Sequence, residues 1–136
     1  MQKIPQKTAF TLSLITGLTL IFIGIRFFVM PLVAETAFGI HTHTGGDYSF
    51  QYIKGIRDLF CGVILLLLLF TRQYKALGLI LLVSIMIPAA DFGVVISHPD
   101  FEAAKLFPHV IAVLLGLGLG SYYLINTSKK KDHVAL

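Results

Sequence analysis

Four long apolar runs, joined by shorter polar links, leave this chain few ways to fold. They extend from about Thr8 to Val33, Ile53 to Phe70, Ala76 to Ser97 and Ala103 to Ile125. A helix crosses the hydrocarbon core of a bilayer with roughly 17–25 residues, and each run has about that length. None alternates apolar and polar residues, and all exceed the length of an ordinary strand. In lipid, every backbone polar group has to be bonded within the protein, so an open-ended span is a helix. The expectation is an all-α integral membrane four-helix bundle, a single domain over residues 1–136. Composition agrees: 56% of the 136 residues are hydrophobic and 13% charged, against about 45–50% and about 25% in soluble domains. One cysteine, Cys61, excludes a disulfide scaffold.

Charge outside the runs sets the expected orientation. One side collects Lys3, Lys7, Arg72, Lys75 and Lys129–Lys131 against Asp132, and the other has Lys54 and Lys105 against Glu35, Asp47, Asp100 and Glu102. Lys and Arg concentrate in cytoplasmic loops, so both termini should be cytoplasmic, with the protein in a bacterial cytoplasmic membrane. The net charge of +4 is then a topology signal. No basic stripe interleaved with aromatics suggests nucleic acid as a partner. The apolar stretch Phe10 to Ile25 of the first run is at the long end for a signal peptide and no clear cleavage site follows, so the run is expected to be retained. Residues 34–52 form the one long connection, an outer loop expected to serve either as a lid over the bundle or as a solvated connector. Gly116 and Gly120 make a GxxxG pair, which lets another helix approach closely, inside the bundle or in a homodimer.

The charges within the spans are the most informative feature. Arg26 lies before the outer end of span one, Arg57 and Asp58 just inside span two, Asp91 before the outer end of span three, and His109 just inside span four. Helix rise puts all of them roughly 6–11 Å below the outer boundary. Ionised groups at such depth normally face protein or water and pair with one another. Arg26 and Arg57 balance Asp58 and Asp91. Neighbours on a helix project in different directions, so the expected partners are Arg57 with Asp91 and Asp58 with Arg26, or the reverse. Lys54, nearer the interface, should snorkel outward. Pro88 removes a backbone donor and should free a carbonyl near Ser84, favouring a polar pocket beside Asp91.

The runs Gly24-Ile25-Arg26-Phe27-Phe28, Ala34-Glu35-Thr36-Ala37-Phe38-Gly39, Lys54-Gly55-Ile56-Arg57-Asp58 and Ile87-Pro88-Ala89-Ala90-Asp91, followed by His109, carry a resemblance. Together they resemble domain-of-unknown-function family 4267, small four-span membrane proteins of bacteria and fungi. The layout is more distantly similar to DoxX-type membrane proteins. The resemblance implies the topology and brings no activity or cofactor.

Three functions fit these residues. In the first, an outward-facing pocket binds, and transforms, a small lipophilic molecule or lipid headgroup. Arg26, Arg57 and Asp58, with Glu35 and Lys54 at the outer edge, hold the ligand, and Asp91 with His109 moves protons. The second is a proton-coupled transporter, since intramembrane Asp and His serve as relays. The third is a partner subunit whose ion pairs only lock helix register. His41 and His43, flanked by Glu35 and Asp47, fall short of the three or four ligands of a zinc site. No nucleotide or catalytic-triad motif is present, and no cofactor is expected.

Overall fold

The computed structural model describes residues 6–132, and side chains through Thr127. Lys3, Lys129–Lys131 and Asp132, which enter the charge count, fall outside the described side chains. The described residues are all-α, without strands, in the order α1 (Gln6–Val29), α2 (Pro31–Phe38), α3 (Ser49–Phe70), α4 (Tyr74–Val83), α5 (Met86–Ser97) and α6 (Phe107–Asp132). A 3-10 turn, Ala103–Leu106, precedes α6. Among the described residues, three stretches are long and apolar enough to cross a membrane: Gln6–Val29, Tyr74–Ser97 and Ala103–Thr127.

The surface is that of a protein dissolved in lipid. Phe22, Phe60, Val83 and Met86 are exposed, whereas Glu35, Gln51, Lys54 and Asp58 are buried. Water would favour the reverse arrangement. The chain is thus an integral membrane protein of the helical-bundle type.

Small residues set how closely the helices approach. α1 lies against α3 along its length. A Cβ on Gly24 would sit 2.6 Å from the Leu59 amide nitrogen, and one on Gly62 would sit 2.7 Å from the Gly17 carbonyl oxygen. Gly17 and Gly24 on α1 face Gly62 and Gly55 on α3, seven residues apart on each helix, so the two backbones touch directly. α4 packs on α6 in a similar way: Gly116 meets Ile85 and the Leu81 carbonyl, and Gly120 meets Leu82 and the Gly78 carbonyl. The Gly116–Gly120 face is therefore occupied within the chain, and a homodimer would have to use another surface. α1 and α6 meet at few positions, among them Ser13 and Tyr123, whose hydroxyls are 3.0 Å apart. Ala9, Leu69, Leu77 and Tyr123 share one core, which puts the start of α1, the α3–α4 turn and the later part of α6 at one end of the bundle.

Two expected boundaries move, both because of proline. The first span ends at Val29 rather than Val33, because Pro31 forces Met30 out of helical geometry (φ −137°, ψ 63°). Pro31 then opens α2, where a missing N–H costs nothing. Part of the expected loop 34–52 is consequently helical. α2 ends at Gly39, whose φ of 108° suits a residue without Cβ, and Phe38 and Ile40 turn into a second core with Phe27, Ala34 and Val95. The third span is broken between α4 and α5. The Ser84 carbonyl does not stay free, as Pro88 had suggested, because the Ile87 N–H donates to it at 3.0 Å in a 3-10-type turn.

Candidate functional site

α3 presents Lys54 and Asp58 one turn apart, close enough to pair on one helix face. The Lys54 ammonium pairs with the Asp58 carboxylate and lies 3.4 Å from Oδ2 of Asp91 on α5. Nη2 of Arg57 donates to both oxygens of Asp91, at 2.9 and 2.7 Å, and its Nε lies 3.3 Å from Oδ1 of Asp58. Two cations and two anions thus close a ring in which each carboxylate meets both bases. The expected Arg57–Asp91 pair is present. The expected Asp58–Arg26 pair is not, and Lys54 takes Arg26's place.

Lys54 turns inward, not outward. Its side chain is 7% exposed, and the ammonium sits 5.4 Å from the Phe27 ring centre and 5.0 Å from that of Phe38. Two aromatic faces and two carboxylates replace the water that snorkelling would have supplied. The expectation that Arg57 and Asp58 do not meet also fails, because the long Arg57 side chain folds back to its neighbour. Arg26 has no carboxylate partner among the described residues. It lies in the last turn of α1, where the helix dipole favours a cation, 5.7 Å from the Phe22 ring centre.

These groups, except Arg57, stand at one end of a cavity of about 290 Å³, lined by residues from every helix, α1 to α6. Arg57 pairs with Asp91 and Asp58 from outside the lining and so does not reach the site expected of it. Arg26, Lys54, Asp58, Asp91 and His109 supply its polar end; Leu20, Leu65, Leu81 and Gly116 supply apolar wall. α2 contributes Ala34, Ala37 and Phe38. His109 is nearly buried and stands edge-on to Phe38, ring centres 5.1 Å apart. No hydrogen bond or ion pair joins His109 to Asp91 among the described residues; both carboxylate oxygens of Asp91 are engaged by Arg57 and Lys54. Cys61 lines the same cavity. Of the aromatics, Phe28 stacks on Tyr52 at 5.8 Å, and Phe60 faces outward.

Glu35 stands apart from the ring. It is buried, and its carboxylate accepts hydrogen bonds from the Thr42 amide, the Thr42 hydroxyl (2.9 Å) and the Gln51 side-chain amide. It clasps the 39–48 connection between α2 and α3 rather than facing the cavity. His41 and His43 are exposed in that connection. Asp47 accepts hydrogen bonds from the Ser49 amide (2.9 Å) and hydroxyl, which hold its carboxyl below the usual carboxylate range.

The family described as Domain of unknown function (DUF4267) matches residues 17–123. The chain belongs to this family. The matched DUF4267 segment contains the whole charge ring, both glycine contacts between α1 and α3, and the Glu35 clasp. No curated protein and no solved structure matches the chain, so the wider likeness to DoxX-type proteins gains no support from them.

Thr42 and Gln51 were not legible as partners of Glu35, since nothing in their spacing links them. Lys54 was more accessible to reasoning: its i,i+4 relation to Asp58 is visible in the sequence. Removing the clasp gives a direct check. Glu35→Ala should raise hydrogen exchange at the Thr42 amide roughly tenfold to a hundredfold, because its charged acceptor is lost. Unchanged exchange there would show that the connection is held by other contacts.

Proposed function

We propose that this DUF4267 protein is a four-span membrane protein, both termini cytoplasmic, whose outward-facing cavity binds a small lipophilic molecule or lipid headgroup. The observation that carries this reading is the cavity itself: mostly apolar walls leading to a cluster of paired charges. Binding sites are typically apolar clefts with a few convergent polar groups, and about 290 Å³ lies near the lower end of their usual range.

α3 is the fourth span in this reading. Lys54, Arg57 and Asp58 give it more charged residues than any of the other three carries, but with Asp91 they form a neutral set. Neutralisation by partners is how charge is accommodated at membrane depth. The excess of Lys and Arg flanking the first and last spans and in the α3–α4 turn supports a cytoplasmic side there. α2 and the 39–48 connection then cap the outer side. His109 faces the cavity as the remaining proton carrier; it acts with Asp91 only through a bound molecule between them.

The test is whether the cavity holds a guest. Ala112 lines the cavity, and Ala112→Trp adds bulk within it. Native mass spectrometry of detergent-purified wild type should show a bound small molecule or lipid, and Ala112→Trp should lose it while keeping its unfolding temperature. Equal retention by both proteins, or none by wild type even after incubation with lipid extract, rejects the pocket. The closed ring favours a second reading, in which the ion pairs only fix helix register. That reading predicts an empty wild type whose stability depends on the ring.

A further inference from the structure

The charge ring is balanced without Arg26. Asp58 and Asp91 are each met by both Lys54 and Arg57. Glu35, the other buried acid, is occupied by Thr42 and Gln51. Arg26 therefore contributes one positive charge at the polar end of the cavity, with no carboxylate among the described residues to offset it. Its guanidinium carbon lies 5.7 Å from the Phe22 ring centre, and none of its five donors makes a hydrogen bond among the described residues.

The cavity continues from that charge along the bundle. On α1 the lining runs from Arg26 through Ile23 and Leu20 to Thr16, a helical distance of about 15 Å. On α6 it runs from His109 to Gly116, about 10 Å. The hydroxyl of Thr16 is already committed to the Leu12 carbonyl at 2.8 Å, which leaves the Ser84 hydroxyl and the Cys61 thiol as the polar side-chain groups along this otherwise apolar stretch. The volume is small for a site that would have to admit two acyl chains.

We infer that the cavity takes a single-chain anionic amphiphile, its carboxylate or phosphate head on Arg26 and its tail along Leu20, Leu65 and Leu81. This rests on the pocket reading above and gives it a charge and a polarity of insertion. Arg26 is three residues from the end of α1, so the head lies near the membrane surface while the tail stays in the apolar interior. An arginine fork matches both carboxylate and phosphate geometry. The ring itself stays closed and is not displaced by the guest.

Four ten-carbon probes separate the contributions in phosphatidylcholine nanodiscs: decanoate, decyl phosphate, decanol and decyltrimethylammonium. Native mass spectrometry should show decanoate, decyl phosphate or both binding wild type at least about tenfold more tightly than decanol, with decyltrimethylammonium weakest. The two acids distinguish a fatty-acid source from a phosphate-ester source. Arg26→Gln should bring the acids within about threefold of decanol, and Arg26→Lys should retain part of the preference. Ala112→Trp should weaken all probes together. If all four probes bind wild type equally and Ala112→Trp removes them, the pocket stands and the anion assignment falls. The anion assignment falls in the same way if the acids are preferred but Arg26→Gln leaves that preference intact. If no probe binds wild type, the pocket and this assignment fall together.

Discussion

Asp91→Asn should destabilise the protein by about 3–5 kcal/mol, the range expected when one partner of a buried ion pair is removed. The loss comes from what remains. Without Asp91, Lys54 and Arg57 share the single carboxylate of Asp58, and one positive charge lacks an offset. Arg57 is about a third exposed and can turn outward. Lys54 cannot do so easily, since it is buried beneath Phe27 and Phe38. Lys54→Met should therefore rescue Asp91→Asn, because the double variant leaves Arg57 opposite Asp58 as a matched pair. Thermal or denaturant unfolding in detergent reads both effects, and coupling between the two substitutions should be about 1–3 kcal/mol. Additive losses would show that the two side chains act independently and that the ring is a coincidence of geometry.

Gly62→Leu should have the second large effect. The first side-chain carbon alone would lie 2.7 Å from the Gly17 carbonyl and 2.8 Å from the Ile21 amide nitrogen, both backbone atoms that cannot move aside singly. α1 and α3 would have to separate. Overpacking in a close contact costs about 1–3 kcal/mol, and in this contact the cost should reach the upper end or prevent assembly. The charge ring should suffer with it, because Phe27 on α1 lies beside the Lys54 ammonium. Gly118→Ala is the control: no atom lies within 4 Å of its added Cβ, and alanine is the better helix former by about 1 kcal/mol. Gly118→Ala should leave unfolding unchanged or raise its midpoint, whereas equal losses at Gly62 and Gly118 would refute the close-contact account.

These two sites differ in how far the sequence revealed them. The seven-residue spacings Gly17–Gly24 and Gly55–Gly62 are plain in the chain, yet they match no familiar motif, whereas Gly116–Gly120 has the GxxxG form. Both sets turn out to be contacts within the chain. Pro31 marked the end of α1 as openly as Pro88 marked the break between α4 and α5. Apolarity continues through Met30 to Val33, and length alone masks the boundary. The Glu35 clasp was of another kind. Glu35 and Gln51 are sixteen positions apart across a turn rich in glycine, and no periodicity connects them.

Hydropathy and chain chemistry specify the solvent, the helices and the presence of unusual charge, because each of these depends on runs of neighbouring residues. Apolar length requires lipid, lipid requires helices, and scarce charges inside those helices require partners. Which partner each charge takes depends on reach and direction across the bundle. Lys54 turns in rather than out because Phe27, Phe38, Asp58 and Asp91 converge on it from three other segments and its own helix. Arg26 is left over because the ring is complete without it. By charge alone Arg26 balances one of the acids; packing assigned its place to Lys54 and left the arginine at the cavity's polar end.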